Sequence, residues 1–271
     1  MHPKMFGFPV EITKHQWPFN ADIDQKEVIT LLDAFFSPLN MYHKLYSFYK
    51  VTRPDYGLVK SVTVVEAPFH DMCAHYVIRC NRQPHSTQTI SLNLPAYQKQ
   101  RIEQLITTLG DHYPPTLFIN TEKYFITLQQ FLFYPVCEFS EKVDIVNLLD
   151  IVYLASKSRI LLDYNHNHWL KSEIGFLYYC DTDYMGNFYQ TEYQALEANL
   201  NQTMAFLNET NCRLLPSALE EFASVGSSSE DFVEQFRCAL EDLLSLSFSN
   251  PNLSESLRNK INCLSRVFKK S

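Results

Sequence analysis

The sequence predicts an α+β fold, with an antiparallel sheet and one helix in its first half and mostly helices in its second. Three observations predict it. β-branched and aromatic residues recur in short runs between residues 45 and 131, broken by turn-forming residues, a pattern that marks strands. One amphipathic stretch after Pro95 interrupts those runs. From Thr191 onward apolar residues recur at helical spacing, and no strand-like run returns.

Residues 1–40 are rich in Pro and aromatics and read as an N-terminal extension with a helix around VITLLDAFF. Strands are expected at LYSFYKVT (45–52), LVKSVTVVEA (58–67) and CAHYVIRC (73–80), with turns at RPDYG (53–57) and PFHDM (68–72). Pro95 opens a helix, since proline suits the first helical position. Ile102, Leu105, Ile106 and Leu109 share its apolar face, and Gly110 ends it. TLFIN (116–120) and KYFITLQQFL (123–132) read as two further strands. EKVDIVNLLDIVYLASKSRIL (141–161) is a long apolar helix, and HWLK (168–171) with FLYYC (176–180) is a hairpin turning at SEIG. Helices follow at TEYQALEANLNQTMAFLNE, PSALEEFASV, SEDFVEQFRCALEDLLSLSF and NLSESLRNKINCLSRVF. The expected division is an extension over 1–40, a sheet-rich lobe over 41–132 and a helical lobe over 133–271.

Composition narrows the function classes. With 46% hydrophobic and 20% charged residues, the chain has the make-up of an ordinary globule. Only six glycines occur and no glycine-rich phosphate loop is among them. A net charge of -7 disfavours nucleic acid as the main partner, because neutralising phosphates takes clustered cations. The locally basic C-terminal stretch SLRNKINCLSRVFKKS matches what a helix C-terminus favours. Seven scattered cysteines, an odd number without a CxxC pair, are no disulfide framework. The charged N-terminus does not read as a signal peptide, and no run reaches the length of a membrane span. The expected location is cytoplasmic.

The chemistry concentrates in LLDYNHNHWLKSEIGFLYYCDTDY (161–184). Asp163 sits in a polar loop, and the hairpin delivers Asp181 eighteen residues later. Two carboxylates so presented suit phosphoryl transfer, in which one orients a hydroxyl and the other holds metal on the nucleotide phosphates. DYNHN also reads as a turn in which Asp163 caps its own backbone, and Asp181 as a strand-end aspartate facing water.

Strands around one helix, a buried helix, a loop aspartate, a hairpin with a second aspartate and then only helices resemble the protein-kinase-like fold, a two-lobed architecture that includes small-molecule phosphotransferases. The resemblance covers residues 45–185 in element order and spacing. That family carries a catalytic aspartate, an asparagine five positions on and a metal-binding aspartate about thirteen residues beyond. Asp163, His168 and Asp181 occupy those positions, and CDTDY resembles the Asp-x-Asp form of the aminoglycoside-phosphotransferase-like branch, which makes Asp183 a further metal ligand. YVIR (76–79) places Arg79 where the family has its phosphate-contacting lysine, with Glu103 as the helix partner. Leu128–Tyr134 would offer backbone hydrogen bonds to an adenine ring.

The resemblance implies ATP with magnesium or manganese as cofactor and a protein or small-molecule hydroxyl as phosphate acceptor. Departures from the family pattern are Leu161-Leu162 before the aspartate, His168 for asparagine, Arg79 for lysine and a lone Gly57 in place of the glycine loop. Imidazole prefers transition metals to magnesium, so these changes suit a manganese-dependent enzyme. They suit equally a pseudokinase that binds a protein partner without turnover. Two other chemistries find less support. His70, Cys73, His75 and Cys80, or His166 with His168, lack zinc-ligand spacing, and no cysteine has a local nucleophile signature.

Overall fold

The computed structural model describes residues 11–36, 46–55, 58–69, 72–83, 95–182, 184, 189–224, 227–249, 255 and 259–260. Asp183, Gly57, His70 and most of the last expected helix lie outside the described residues. The chain divides into two compact units, one of residues 1–106 with 114–135, the other of residues 107–113 with 136–271.

The first unit holds a six-stranded antiparallel sheet. Its strands are β1 (Glu11–His15), β2 (Ser47–Asp55), β3 (Leu58–Phe69), β4 (Met72–Arg82), β5 (Thr116–Asn120) and β6 (Tyr124–Gln130), in the order β1-β2-β3-β4-β6-β5. β2, β3 and β4 form a meander, as their alternating apolar residues predict. Both its strands and its hairpins run longer and tighter than expected, because Arg53–Asp55 and Pro68–Phe69 pair in the ladder instead of turning.

Residues of opposite parity build two apolar faces. Phe48, Val65, Ala67, Ile78, Cys80, Ile126 and Leu128 form one core with Val28, Leu32 and Phe36 of helix α1 (Gln25–Phe36). Those three helix residues recur every fourth position, so they line one stripe. Each is fully buried, worth about 2 kcal/mol apiece. Tyr49, Val51, Val64 and Phe131 cluster on the other face. Part of the presumed N-terminal extension therefore belongs to this unit: β1 pairs with β2 and α1 closes the core. β1 escapes sequence reading because EITKH is mostly polar and offers a single apolar side chain, Ile12, to the cluster of Tyr49, Val51, Val64 and Phe131. Helix α2 (Pro95–Leu109) starts at Pro95, and Gly110 follows it at φ +52, a left-handed conformation that glycine adopts without steric cost.

The second unit is built on helix α3 (Lys142–Lys157), which buries Ile145, Leu148, Leu149, Ile151, Val152 and Ala155. It packs against α4 (Glu192–Phe206) and α5 (Glu209–Ala223), and α6 (Ser227–Ser249) packs on α4 and α5. Reciprocal capping boxes start α3 at Glu141/Asp144, α4 at Thr191/Gln194 and α5 at Asn208/Asn211. α5 thus begins seven residues before the Pro216 that reads as its start, and the proline sits inside the helix.

A two-stranded sheet of β7 (Trp169–Lys171) and β8 (Leu177–Tyr179) completes this unit. Its turn runs through Gly175 at φ +83, with the Ser172 hydroxyl accepting from Phe176 N–H at 2.9 Å. Lys171 on β7 pairs with Asp144 at 2.7 Å and Glu141 at 3.2 Å, tying the hairpin to the α3 N-terminus. Burial alone would pull the Lys171 ammonium down, but the two carboxylates outweigh it and hold it above its ordinary range. Among the described residues no helix is long and apolar enough to cross a membrane.

Candidate metal site

α3 ends where Arg159 turns left-handed at φ +57, and the chain enters the loop that carries Asp163. Two apolar side chains, Ile160 and Leu162, are fully buried and anchor that loop from within. Its backbone polar groups are met by Asn199 on α4, itself fully buried. Asn199 Nδ2 donates to the Ile160 carbonyl at 2.8 Å, and its Oδ1 accepts from Leu162 N–H at 3.3 Å and from the Tyr164 hydroxyl at 3.1 Å. Burial of Ile160 and Leu162 plus one buried amide therefore hold the loop before Asp163.

Asp163 is fixed one step further out. Its N–H donates to the Tyr179 hydroxyl oxygen at 3.2 Å. Tyr179 is fully buried on β8, against Trp169 at 5.1 Å between ring centroids and edge-on to His168 at 6.1 Å. Burial first, then the neighbouring Asp181 charge, keeps its phenol protonated well above its ordinary range.

Asn165 then caps a 3-10 turn over His166–His168, its side chain accepting from Asn167 N–H at 3.1 Å. His168 leads straight into β7, and its carbonyl accepts from Cys180 N–H at 2.7 Å. That bond extends the hairpin ladder one residue past the Trp169–Tyr179 pair. It brings Asp181 beside His168, and the Asp181 carboxylate also accepts from Thr182 N–H at 2.8 Å.

His168 Nδ1 lies 3.6 Å from Asp163 Oδ2 and 3.5 Å from Asp181 Oδ2. One ligand atom from each of the three residues falls within 4.8 Å of the others. The histidine side chain is 9% exposed, Asp181 21% and Asp163 43%, so the cluster opens toward solvent on the Asp163 side. Donor–metal bonds of about 2.1 Å place neighbouring donors about 3.0–3.5 Å apart. The two nitrogen–oxygen distances, 3.5 and 3.6 Å, stand at the upper end of that spacing.

No family model matches this chain, and no curated protein matches it.

The remaining expected residues divide between units. Arg79 and Glu103 belong to the first, Asp163, His168 and Asp181 to the second. Arg79 is half-buried on β4 opposite Thr127 of β6, and its Nη1 is buried without a hydrogen-bond partner. Glu103 is exposed on α2, 3.5 Å from Lys99 one turn earlier.

The segment expected to meet an adenine ring borders a cavity of about 530 Å³, lined among others by His75, Gln130, Phe131, Phe133 and Tyr134. His75 is engaged with Glu66 at 3.1 Å, and its carbonyl accepts from Phe131 N–H at 2.8 Å. Cys80 is buried, and burial first, then Asp22, pushes its thiol up to about 12, which disfavours the thiolate that zinc requires.

Two residues that hold the site, Asn199 and Tyr179, have no counterpart in the sequence reading. Asn199 had a signal available: it is a carboxamide on the stripe of Ala195, Leu196, Leu200 and Thr203 that α4 buries. A buried amide on such a stripe needs partners.

Proposed function

We propose that the chain is an atypical ATP-dependent phosphotransferase acting on a protein or small-molecule hydroxyl. The observation that carries this reading is the convergence of Asp163 and Asp181, eighteen residues apart in sequence, on the single buried imidazole of His168. In that role Asp163, the most exposed of the three, orients the acceptor hydroxyl and takes its proton. Asp181 and His168 would hold a divalent ion, which when bound neutralises phosphate charge. Asp183, outside the described residues, would join them. Arg79 with Glu103 would contribute to phosphate binding. The aromatic-lined cavity at Gln130–Tyr134 suits a flat heterocycle, in keeping with the adenine contact expected there. The odd number of scattered cysteines, without a CxxC pair, is in keeping with a reducing compartment such as the cytoplasm.

A pseudokinase that engages a protein partner is the second reading. It is favoured by Arg79 at the lysine position, since a guanidinium does not reproduce an ammonium's point contact with phosphate.

Thermal unfolding with ATP, with and without magnesium or manganese, tests the two readings on the native chain and on Asp181→Ala and Asp181→Asn. The enzyme reading expects a metal-dependent rise in Tm, since ATP at a hundred times its Kd adds about 2.7 kcal/mol. Both variants lose that rise, and labelled γ-phosphate moves to an acceptor. A shift independent of metal and without transfer selects the pseudokinase. No shift under any condition overturns the enzyme reading and leaves a partner-binding protein.

A further inference from the structure

We infer that Asp163, His168 and Asp181 form a three-ligand site for a divalent transition-metal ion, filled without nucleotide and selective against magnesium. The inference rests on reading this cluster as the metal centre of a phosphotransferase. It adds the class of ion and a ligand role for Asp163.

His168 Nδ1 faces three oxygen atoms. Two carboxylate oxygens stand 3.5 and 3.6 Å away, and the Asp163 carbonyl stands 3.4 Å away. Charge-assisted hydrogen bonds close to about 2.7–2.9 Å, and one ring nitrogen offers a single hydrogen, so it cannot serve three acceptors well. The same distances match the edges of a coordination polyhedron, in which Nδ1 and the two Oδ2 atoms share a cation. Fixed supports surround each donor. Tyr179 and Asn199 hold the Asp163 loop, the Cys180–His168 backbone bond sets Asp181 beside the ring, and Tyr179 stands against the imidazole. The donors are thus in place before any nucleotide arrives.

Chemistry decides the ion. Magnesium takes oxygen ligands and surrenders its water reluctantly, whereas an imidazole with two carboxylates suits manganese, iron or zinc. Asp163 coordinates through Oδ2 and keeps its second oxygen for an acceptor hydroxyl.

Calorimetric titration of the full chain with manganese, zinc or magnesium chloride, without nucleotide, provides the test. Manganese and zinc bind one equivalent at least about ten-fold more tightly than magnesium. His168→Asn removes that preference and Asp163→Asn weakens manganese and zinc binding, both variants being checked for native circular dichroism. Spin-echo spectroscopy of bound manganese shows modulation from an imidazole nitrogen, and His168→Asn abolishes it. Equal affinity for magnesium, or modulation that survives in His168→Asn, overturns the inference. Parallel ATP titrations keep the two readings apart. Tight manganese binding without ATP binding sinks the phosphotransferase and leaves the metal site. Phosphate transfer with magnesium and no binding of metal alone does the reverse.

Discussion

The loop around Asp163 and the sheet face around Arg79 treat buried polarity in opposite ways. In the loop, the backbone groups of Ile160, Leu162 and Asp163 all find buried side-chain partners, two on Asn199 and one on Tyr179. On the sheet, Arg79 and Thr127 face each other across β4 and β6, with Gln129 two residues along on the same face. There Arg79 Nη1, Thr127 Oγ1 and Gln129 Nε2 are buried without hydrogen-bond partners. A buried polar group left unmet costs about 1–3 kcal/mol. The loop uses its polar groups to fix a geometry, whereas the sheet face carries polarity that its own fold leaves unanswered.

Three substitutions separate these two behaviours. Asn199→Leu carries the largest expected effect, because it strips partners from the loop carbonyl, amide and phenol together. A loss of about 3 kcal/mol is expected in urea unfolding, and metal binding at the cluster disappears with it. Stability within 0.5 kcal/mol of the parent, a threshold of roughly the ordinary surface effect, would mean that water replaces the amide without cost and that the loop is not fixed from inside.

Tyr179→Phe is milder. It removes one acceptor from Asp163 N–H while keeping the ring packed on Trp169. About 1 kcal/mol of stability goes, and manganese affinity drops through looser placement of Asp163. Unchanged affinity would show that the phenol has no part in placing the carboxylate. Thr127→Val has the smallest effect and tends to the opposite sign. Exchanging an unpartnered buried hydroxyl for a methyl group costs about nothing or stabilises slightly, as unfolding of the variant would reveal. Destabilisation beyond about 1 kcal/mol would mean that the hydroxyl serves a bound water or ligand.

Strands β2 to β8, the Pro95 start and the long apolar α3 were legible because their signals are local: a period of two, a period near 3.6 and residues with fixed backbone preferences. TLFIN matches β5 residue for residue. α5 misled because Pro216 is a strong local start signal, yet the Asn208/Asn211 box eight residues earlier prevailed. Within the site, Asp163, His168 and Asp181 were legible from spacing, since a hairpin of fixed length returns the chain to its own origin. Their supports were not. Asn199 acts from more than thirty residues away, and nothing in the order of residues pairs it with Leu162. Glu103 shows the converse: local spacing alone, four residues from Lys99, accounts for the salt bridge seen on it.

His112 bears on how the molecule can be taken apart. It lies in residues 107–113, ahead of the last two strands of the first unit, yet it belongs to the second. There its ring bridges the Leu177 carbonyl at 2.7 Å and Asp150 at 3.0 Å, and stacks on Phe176. Neither unit is one continuous stretch of chain. A gene cut at Pro135 would give a C-terminal fragment whose hairpin lacks its histidine clasp, so a dissected half that fails to bind metal would report the cut and not the site. Fusing residues 107–113 to the 136–271 fragment through a linker would restore what that truncation discards.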